Sequence, residues 1–290
     1  MNRFAWLPLC TPVAARLPWA VYAGASVAGE TLWQVRRRGR SQLIANLLPF
    51  CDDSPTVAKR AARQARRNVA RYWVEVAARP AVDLERFERD RVRIAGAEKL
   101  RMLETPGPVV VLGAHTGNGE LCLQLSVLGS RPRIALVEPL APPDFAQAIF
   151  ALRAAGIVQF HEATFAGLRR CAMALKEGGL VGMMGDRDLS GGGIPVKLAG
   201  RHVRIARGPW QLAWRHHAVV LPVFCSREHR NTFEVRVEEP VQICRSGTEE
   251  AGIADAAQRW ATRLEAHLRR DPGQWLVQED FWNVHACSGD

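Results

Sequence analysis

The feature that most narrows the fold is a short unbroken apolar run, Pro108-Val-Val-Val-Leu112, followed by a regular alternation of apolar and amphipathic segments. The run is shorter than an ordinary helix and apolar at every position, so it reads as a strand buried on both faces. A helical stretch over 117–128 follows. Strands are then expected at 134–137, 157–160, 180–184, 218–224 and 233–237. Helices are expected at 144–155, 164–177 and 252–270. Strands separated by helices of this length form crossover units, which gives an α/β fold: a mainly parallel or mixed central sheet flanked by helices. The chain shows no internal repeat or low-complexity tract.

The first third of the chain has a different texture. Residues 1–105 are expected to form a helical, membrane-associating region, and 106–290 an α/β catalytic region continuous with it. The uncharged stretch Leu17–Gly29 contains Pro18 and is too short for a spanning helix, which needs about 20 apolar residues. Arg3 is the only charge in the candidate n-region and no clean apolar core follows it, so the segment also does not read as a signal peptide. Trp6, Trp19, Tyr22 and Trp33 suit either a membrane–water interface or a core. Between Val35 and Pro80, 11 basic residues face 3 acids, which supplies most of the chain's net charge of +10. Within it, 57–78 reads as a helix. Ala61, Ala65, Val69, Tyr72, Trp73 and Val76 form an apolar stripe, and Arg60, Arg63, Arg67 and Arg71 lie on other faces. Such a helix fits an anionic membrane surface or a solvated, alanine-packed position equally.

Arginine accounts for 35 of the 39 basic residues, with Lys59, Lys99, Lys176 and Lys197 as the lysines. The planar guanidinium fork binds phosphate and carboxylate, so the excess points to an anionic partner, although GC-rich coding produces the same bias. No nucleic-acid motif accompanies the charge. The seven cysteines are scattered without a CxxC pair, which argues against a disulfide framework and for a reducing, cytoplasmic compartment. Apart from His115, the histidines lack carboxylates or cysteines at metal-ligand spacing, so no metal site is expected.

Two motifs sit at strand ends, where sites form in open α/β sheets. The first is Gly113-Ala-His115-Thr-Gly117-Asn118-Gly119-Glu120. With glycines between them, Glu120 can fold back onto His115, fix its tautomer and make it a general base. The bland alternative is a histidine that ends a strand and a glutamate that starts a helix. The same glycines resemble a dinucleotide-binding turn, but 110 residues precede them, and neither Tyr22 nor Tyr72 has a lysine four residues on. The second motif, Gly185-Asp186-Arg187-Asp188-Leu-Ser190, leads into a glycine-rich turn. Its two acids suit Mg²⁺, a clamp on Arg187, or a cap on the loop.

Together and in this order, about 70 residues apart, these motifs resemble the bacterial lipid A biosynthesis acyltransferase family, which includes phosphatidylinositol mannoside acyltransferases. His115 and Glu120 match its HxxxxE hallmark, with Gly119 in place of a usual tryptophan. The Asp186–Ser190 block, Gly208-Pro209 and Trp275-Leu-Val-Gln278-Glu-Asp-Phe-Trp282 are similar to the mannoside branch. The resemblance spans roughly 36–282. It implies transfer of a fatty acyl group from acyl-CoA or an acyl carrier protein to a hydroxyl of an anionic membrane glycolipid. Candidate acceptors are a phosphatidylinositol mannoside or a lipid A precursor, and a lysophospholipid is the alternative. A basic lipid-binding protein without turnover is a further alternative. His115, held by Glu120, would act as base without a cysteine nucleophile or a cofactor. Asn118, Arg153, Asp186, Arg187 and Asp188 would bind substrate. The resemblance also implies the cytoplasmic face of the bacterial inner membrane, here by peripheral attachment.

Overall fold

The computed structural model describes Thr11 and residues 18–35, 37–229 and 232–287. The N-terminal part is helical: α1 (Pro18–Val35), α2 (Arg37–Leu47), α3 (Pro55–Ala78) and α4 (Leu84–Arg91) lead into strand β1 (Val92–Ala95). The alternating region then supplies β2 (Val109–Gly113), α5 (Gly119–Cys122), β3 (Arg133–Val137), α6 (Pro143–Arg153), β4 (Val158–Glu162), α7 (Phe165–Lys176) and β5 (Leu180–Met184). A small hairpin of β6 (Ile194–Leu198) and β7 (Arg201–Ile205) precedes α8 (Gly208–Arg215), β8 (Val219–Arg227), β9 (Phe233–Val237), α9 (Glu249–Arg270) and α10 (Phe281–Val284).

The seven-stranded sheet has the order β1-β9-β8-β2-β5-β3-β4. Its pairings are parallel except β8 with β9. β2 is central, between β5 and β8, and its side chains alternate between two cores. Val110 and Leu112 join the layer that contains Trp210, Trp260 and Trp275, while Val109 and Val111 join that of Leu123, Val158 and Phe233. This double burial is why the run carries no polar residue.

Two features depart from the sequence reading. The helix expected over 117–128 shrinks to α5, because Leu123 turns down onto Gly182, where its Cδ1 would lie 2.0 Å from an added Cβ. β1 was not expected at all; it is short, with one exposed and three half-buried residues, and sits at the sheet edge. The basic helix α3 is not an open charged face either. α1 packs along it, with Gly29 close enough to the Arg67 backbone that a Cβ would lie 2.8 Å from its Cα. Arg63 pairs with Glu30 and Arg71 donates to Ser26. Of the aromatics considered for an interface, Trp33 is buried and the Tyr22 hydroxyl donates to Glu75 at 3.0 Å. Trp6 and the side chain of Trp19 lie outside the described residues. No described helix is long and apolar enough to cross a membrane.

The helical part is joined to the sheet by a buried ion pair. Glu75 of α3 receives both ends of the Arg227 guanidinium from β8, and also Tyr22 from α1 and the Asn118 side-chain amide at 2.9 Å. Removing one partner of a buried pair leaves the other charge without compensation, at a cost of about 3–5 kcal/mol. Glu75→Ala should therefore lower the melting temperature by roughly 6–10 °C in a chain of this size, measured by calorimetry. A change within 1 °C would mean that Arg227 finds water instead.

Candidate active site

Because β2 and β5 are parallel neighbours, the residues that follow them emerge side by side. The Gly185 N–H continues the ladder to the Gly113 carbonyl at 2.9 Å. This places Asp186 against His115. The histidine Nδ1 lies 2.8 Å from Asp186 Oδ1, and its backbone N–H donates to Oδ2 at 3.2 Å. Trp275 Nε1–H, from the C-terminal segment, donates to the same Oδ2 at 2.8 Å. Asp186 is fully buried. Burial alone would push its carboxyl up, but the His115 charge and the donors from His115 and Trp275 outweigh it and hold the group at about 2. The ionised carboxylate sets Nδ1 as the protonated ring nitrogen and leaves the Nε2 lone pair for the cavity that His115 lines.

The loop carrying His115 is fixed by the C-terminal segment. Gly117 N–H donates to the Gln274 carbonyl and Leu276 N–H to the His115 carbonyl, at 3.2 and 2.7 Å. Gly117 has φ +54°, and a Cβ there would lie 2.6 Å from the Cys225 carbonyl oxygen, so only glycine fits.

Glu120 does not orient His115, contrary to the expectation from spacing. Its carboxylate accepts Tyr72 Oη–H at 2.5 Å and Arg153 Nε–H at 2.9 Å, with a second contact to Arg153 Nη2. Arg153 is buried at the end of α6, where a carboxylate offsets the cost of burying its charge. Glu120 supplies it, while Asp186 already satisfies His115 Nδ1. The Tyr72 hydroxyl is held protonated, first by burial and then by the Glu120 charge.

The other expected substrate-binding groups are engaged within the protein. Arg187 is clamped between Glu138 (2.7 Å to Nη1) and Glu279 (2.6 Å to Nε). Glu279 also meets His285 at 2.7 Å. Burial opposes ionisation of Glu279, but His285 and Arg187 hold its carboxyl at about 2. Asp188 accepts Ser190 N–H and Oγ–H on one oxygen and Gly193 N–H on the other, so it caps its own glycine loop. Asn118 caps α5 by accepting Leu121 N–H and donates to Glu75.

His115, Glu120, Tyr72, Arg153, Arg187 and Asp188 nevertheless border one cavity of about 510 Å³. Val111, Leu123, Ala135, Gly182 and Val223 form apolar wall, and Leu140, Leu168 and Leu189 are also among its lining residues. An apolar cavity with a few convergent polar groups suits an extended apolar ligand with a reactive end. Trp275, Tyr72 and Glu279 are the residues that sequence reasoning left without a role. The Trp275 block was legible as a string, but only the fold shows which carboxylate it touches.

The family profile described as bacterial lipid A biosynthesis acyltransferase matches residues 4–282. A phosphatidylinositol mannoside acyltransferase of Mycobacterium tuberculosis is 28% identical over 221 residues, covering 73% of this chain and 67% of that protein. One of Mycolicibacterium smegmatis is 25% identical over 273 residues, covering 92% and 86%. The crystal structure of the 1-acyl-sn-glycerophosphate (LPA) acyltransferase of Thermotoga maritima aligns with a TM-score of 0.36 at 17% identity, covering 77% of this chain and 93% of that one. With a profile match across nearly its whole length, the chain belongs to the bacterial lipid A biosynthesis acyltransferase family.

Proposed function

We propose that this acyltransferase moves a fatty acyl group from acyl-CoA or an acyl carrier protein to a hydroxyl of an anionic membrane glycolipid, with His115 as general base oriented by Asp186. A phosphatidylinositol mannoside is the preferred acceptor, since the similar characterised proteins carry that name. The carrying observation is the His115–Asp186 pair, with the histidine opening into a largely apolar cavity. Peripheral attachment at the cytoplasmic face of the inner membrane belongs to the same reading, and the helical part exposes Val27, Leu32 and Val35 of α1.

In this mechanism Nε2 of His115 removes the acceptor proton as the oxygen attacks the thioester carbonyl. Asp186 stabilises the imidazolium that forms. The tetrahedral oxyanion needs donors. The Gly117 and Asn118 N–H groups are already bound to the Gln274 carbonyl and Cys225 Sγ. The first turn of α5 leaves Gly119 and Glu120 N–H without intrahelical acceptors, and these are the donors the reading assigns. Collapse breaks the C–S bond, and the imidazolium returns the proton to the leaving thiolate. Glu120, Arg153 and Tyr72 form the rigid wall behind this turn. Cys122 plays no nucleophilic part: its hydrogen bond to Cys225 and its burial push its thiol well above the ordinary value.

The test supplies labelled palmitoyl-CoA, and separately the acyl carrier protein form, with a mannosylated phosphoinositide, a lipid A precursor or a lysophospholipid. Label should appear in the mannosylated pool. His115→Ala should cost about 10³-fold or more in kcat, and Asp186→Asn about 10²-fold, with donor binding retained. Transfer within tenfold of wild type in either variant would remove that residue from the mechanism.

Trp275→Phe keeps an aromatic ring against Phe50 and Phe281 but deletes the donor to Asp186. The Asp186 carboxyl should rise from about 2 toward its ordinary value near 3.8. A depressed carboxyl stabilises the fold above the unfolded value, and that contribution is lost as pH falls toward 2. Acid unfolding of Trp275→Phe should therefore begin at higher pH than in wild type, and kcat should fall about 5- to 50-fold with KM little changed. An unaltered acid limb together with unaltered kcat would reduce Trp275 to packing.

A further inference from the structure

The helix beside the cavity carries an outward face that the fold does not use. α7 buries Gly167, Cys171, Ala174 and Leu175 against the sheet. It leaves Phe165 84% exposed, Met173 52% and Leu168 36%. Phe165, Arg169 and Met173 recur at four-residue spacing and so share one face, with Arg170 beside them and Lys176 at the end. The helix contains no acid, and among the described residues Arg169, Arg170 and Lys176 form no ion pair. Leu189, in the loop after Asp188, is 55% exposed, and both Leu189 and Leu168 border the cavity that His115 lines. Large apolar side chains standing in solvent at the edge of a site, interleaved with unpaired cations, form an interaction surface rather than a random scatter.

We infer that Phe165, Leu168 and Leu189, flanked by Arg169 and Arg170, form a lip that docks on a bilayer rich in anionic lipid and brings the cavity mouth against the membrane. The chemistry selects this occupant. Aromatic and aliphatic side chains enter the headgroup–acyl boundary, and arginines beside them reach lipid phosphates while their stems stay in apolar surroundings. Each cation near an anionic leaflet adds attraction that an uncharged bilayer does not offer. The lip differs from α1, whose exposed face is uncharged at Val27, Leu32 and Val35, and from α3, whose arginines are partly covered by α1. The inference rests on the reading that the acceptor is a membrane lipid, because a lip at the mouth lets such a lipid reach His115 without leaving the bilayer.

Two variants test it at sites outside the cavity wall: Phe165→Asp and the pair Arg169→Glu/Arg170→Glu. Each is assayed by co-sedimentation with vesicles of phosphatidylcholine, with and without phosphatidylglycerol. Transfer is then measured from palmitoyl-CoA to an acceptor embedded in those vesicles, and to a short-chain, monomeric mannosylated phosphoinositide. Wild type should bind the anionic vesicles at least tenfold better than the neutral ones. Both variants should lose at least tenfold in anionic-vesicle binding and in transfer to the embedded acceptor, with transfer to the monomeric acceptor unchanged. Vesicle binding unchanged in both variants would overturn the lip. Binding lost only in Val27→Asp/Leu32→Asp would also overturn it, assigning the contact to α1. Failure of wild type to acylate the monomeric acceptor from palmitoyl-CoA, and again from the acyl carrier protein form, would instead strike the acyl-transfer reading, and vesicle binding would still decide the lip.

Discussion

A single buried carboxylate organises the active end of this molecule. Asp186 has no contact with solvent, and an ionised group in that position is tolerable only when its acceptor sites are filled. The donors come from separate parts of the chain: ring and backbone of His115 after β2, and the indole of Trp275 near the C-terminus. Folding of the C-terminal segment and assembly of the site are therefore one event. The same segment carries Glu279, whose backbone carbonyl accepts the Asn46 side-chain amide, so α2 is drawn into the arrangement as well. The helical N-terminal part thus reaches the catalytic end through the C-terminus as well as through Glu75 and Arg227.

Much of the α/β architecture is legible in the sequence, because the central strands β2 and β5 are apolar on both faces, β9 alternates, and the crossover helices bury one face. The runs at 180–184 and 233–237 match the observed strands at both ends. The position of His115 at a strand end follows from the same pattern. What a linear sequence does not carry is which strands lie side by side. Spacing along the chain favours Glu120 as the partner of His115, but the sheet order places β5 next to β2 and delivers Asp186 instead. β1 escapes notice because Val92-Arg-Ile-Ala95 is only four residues long and follows α4 directly, with no turn residues to mark its start.

The charge balance also reads differently once the fold is known. A +10 chain dominated by arginine suggests an outward-facing anion binder. Several of those arginines are internal struts. Arg133 donates to the carbonyls of Leu123 and Leu125 at 2.8 and 2.7 Å, where burial lowers its basicity. Arg153 and Arg227 are buried against single carboxylates, and Arg187 is held by two. Arginines paired with carboxylates in this way are cancelled locally, so attraction of an anionic partner falls to exposed cations such as Lys59, Arg60, Arg169 and Arg170.

Gly119 opens α5 beside the end of β5, and the Met184 side chain fills the room that its missing side chain leaves. The methionine Cε lies 2.4 Å from where a Cβ on residue 119 would be, so the thioether occupies part of the space a side chain there would claim. Methionine is flexible enough to fill such a gap without fixing its shape. Positions 119 and 184 therefore share one volume between the start of α5 and the end of β5. Enlarging the first requires shrinking or redirecting the second, so any side chain added beside the His115 loop is felt first at the end of β5.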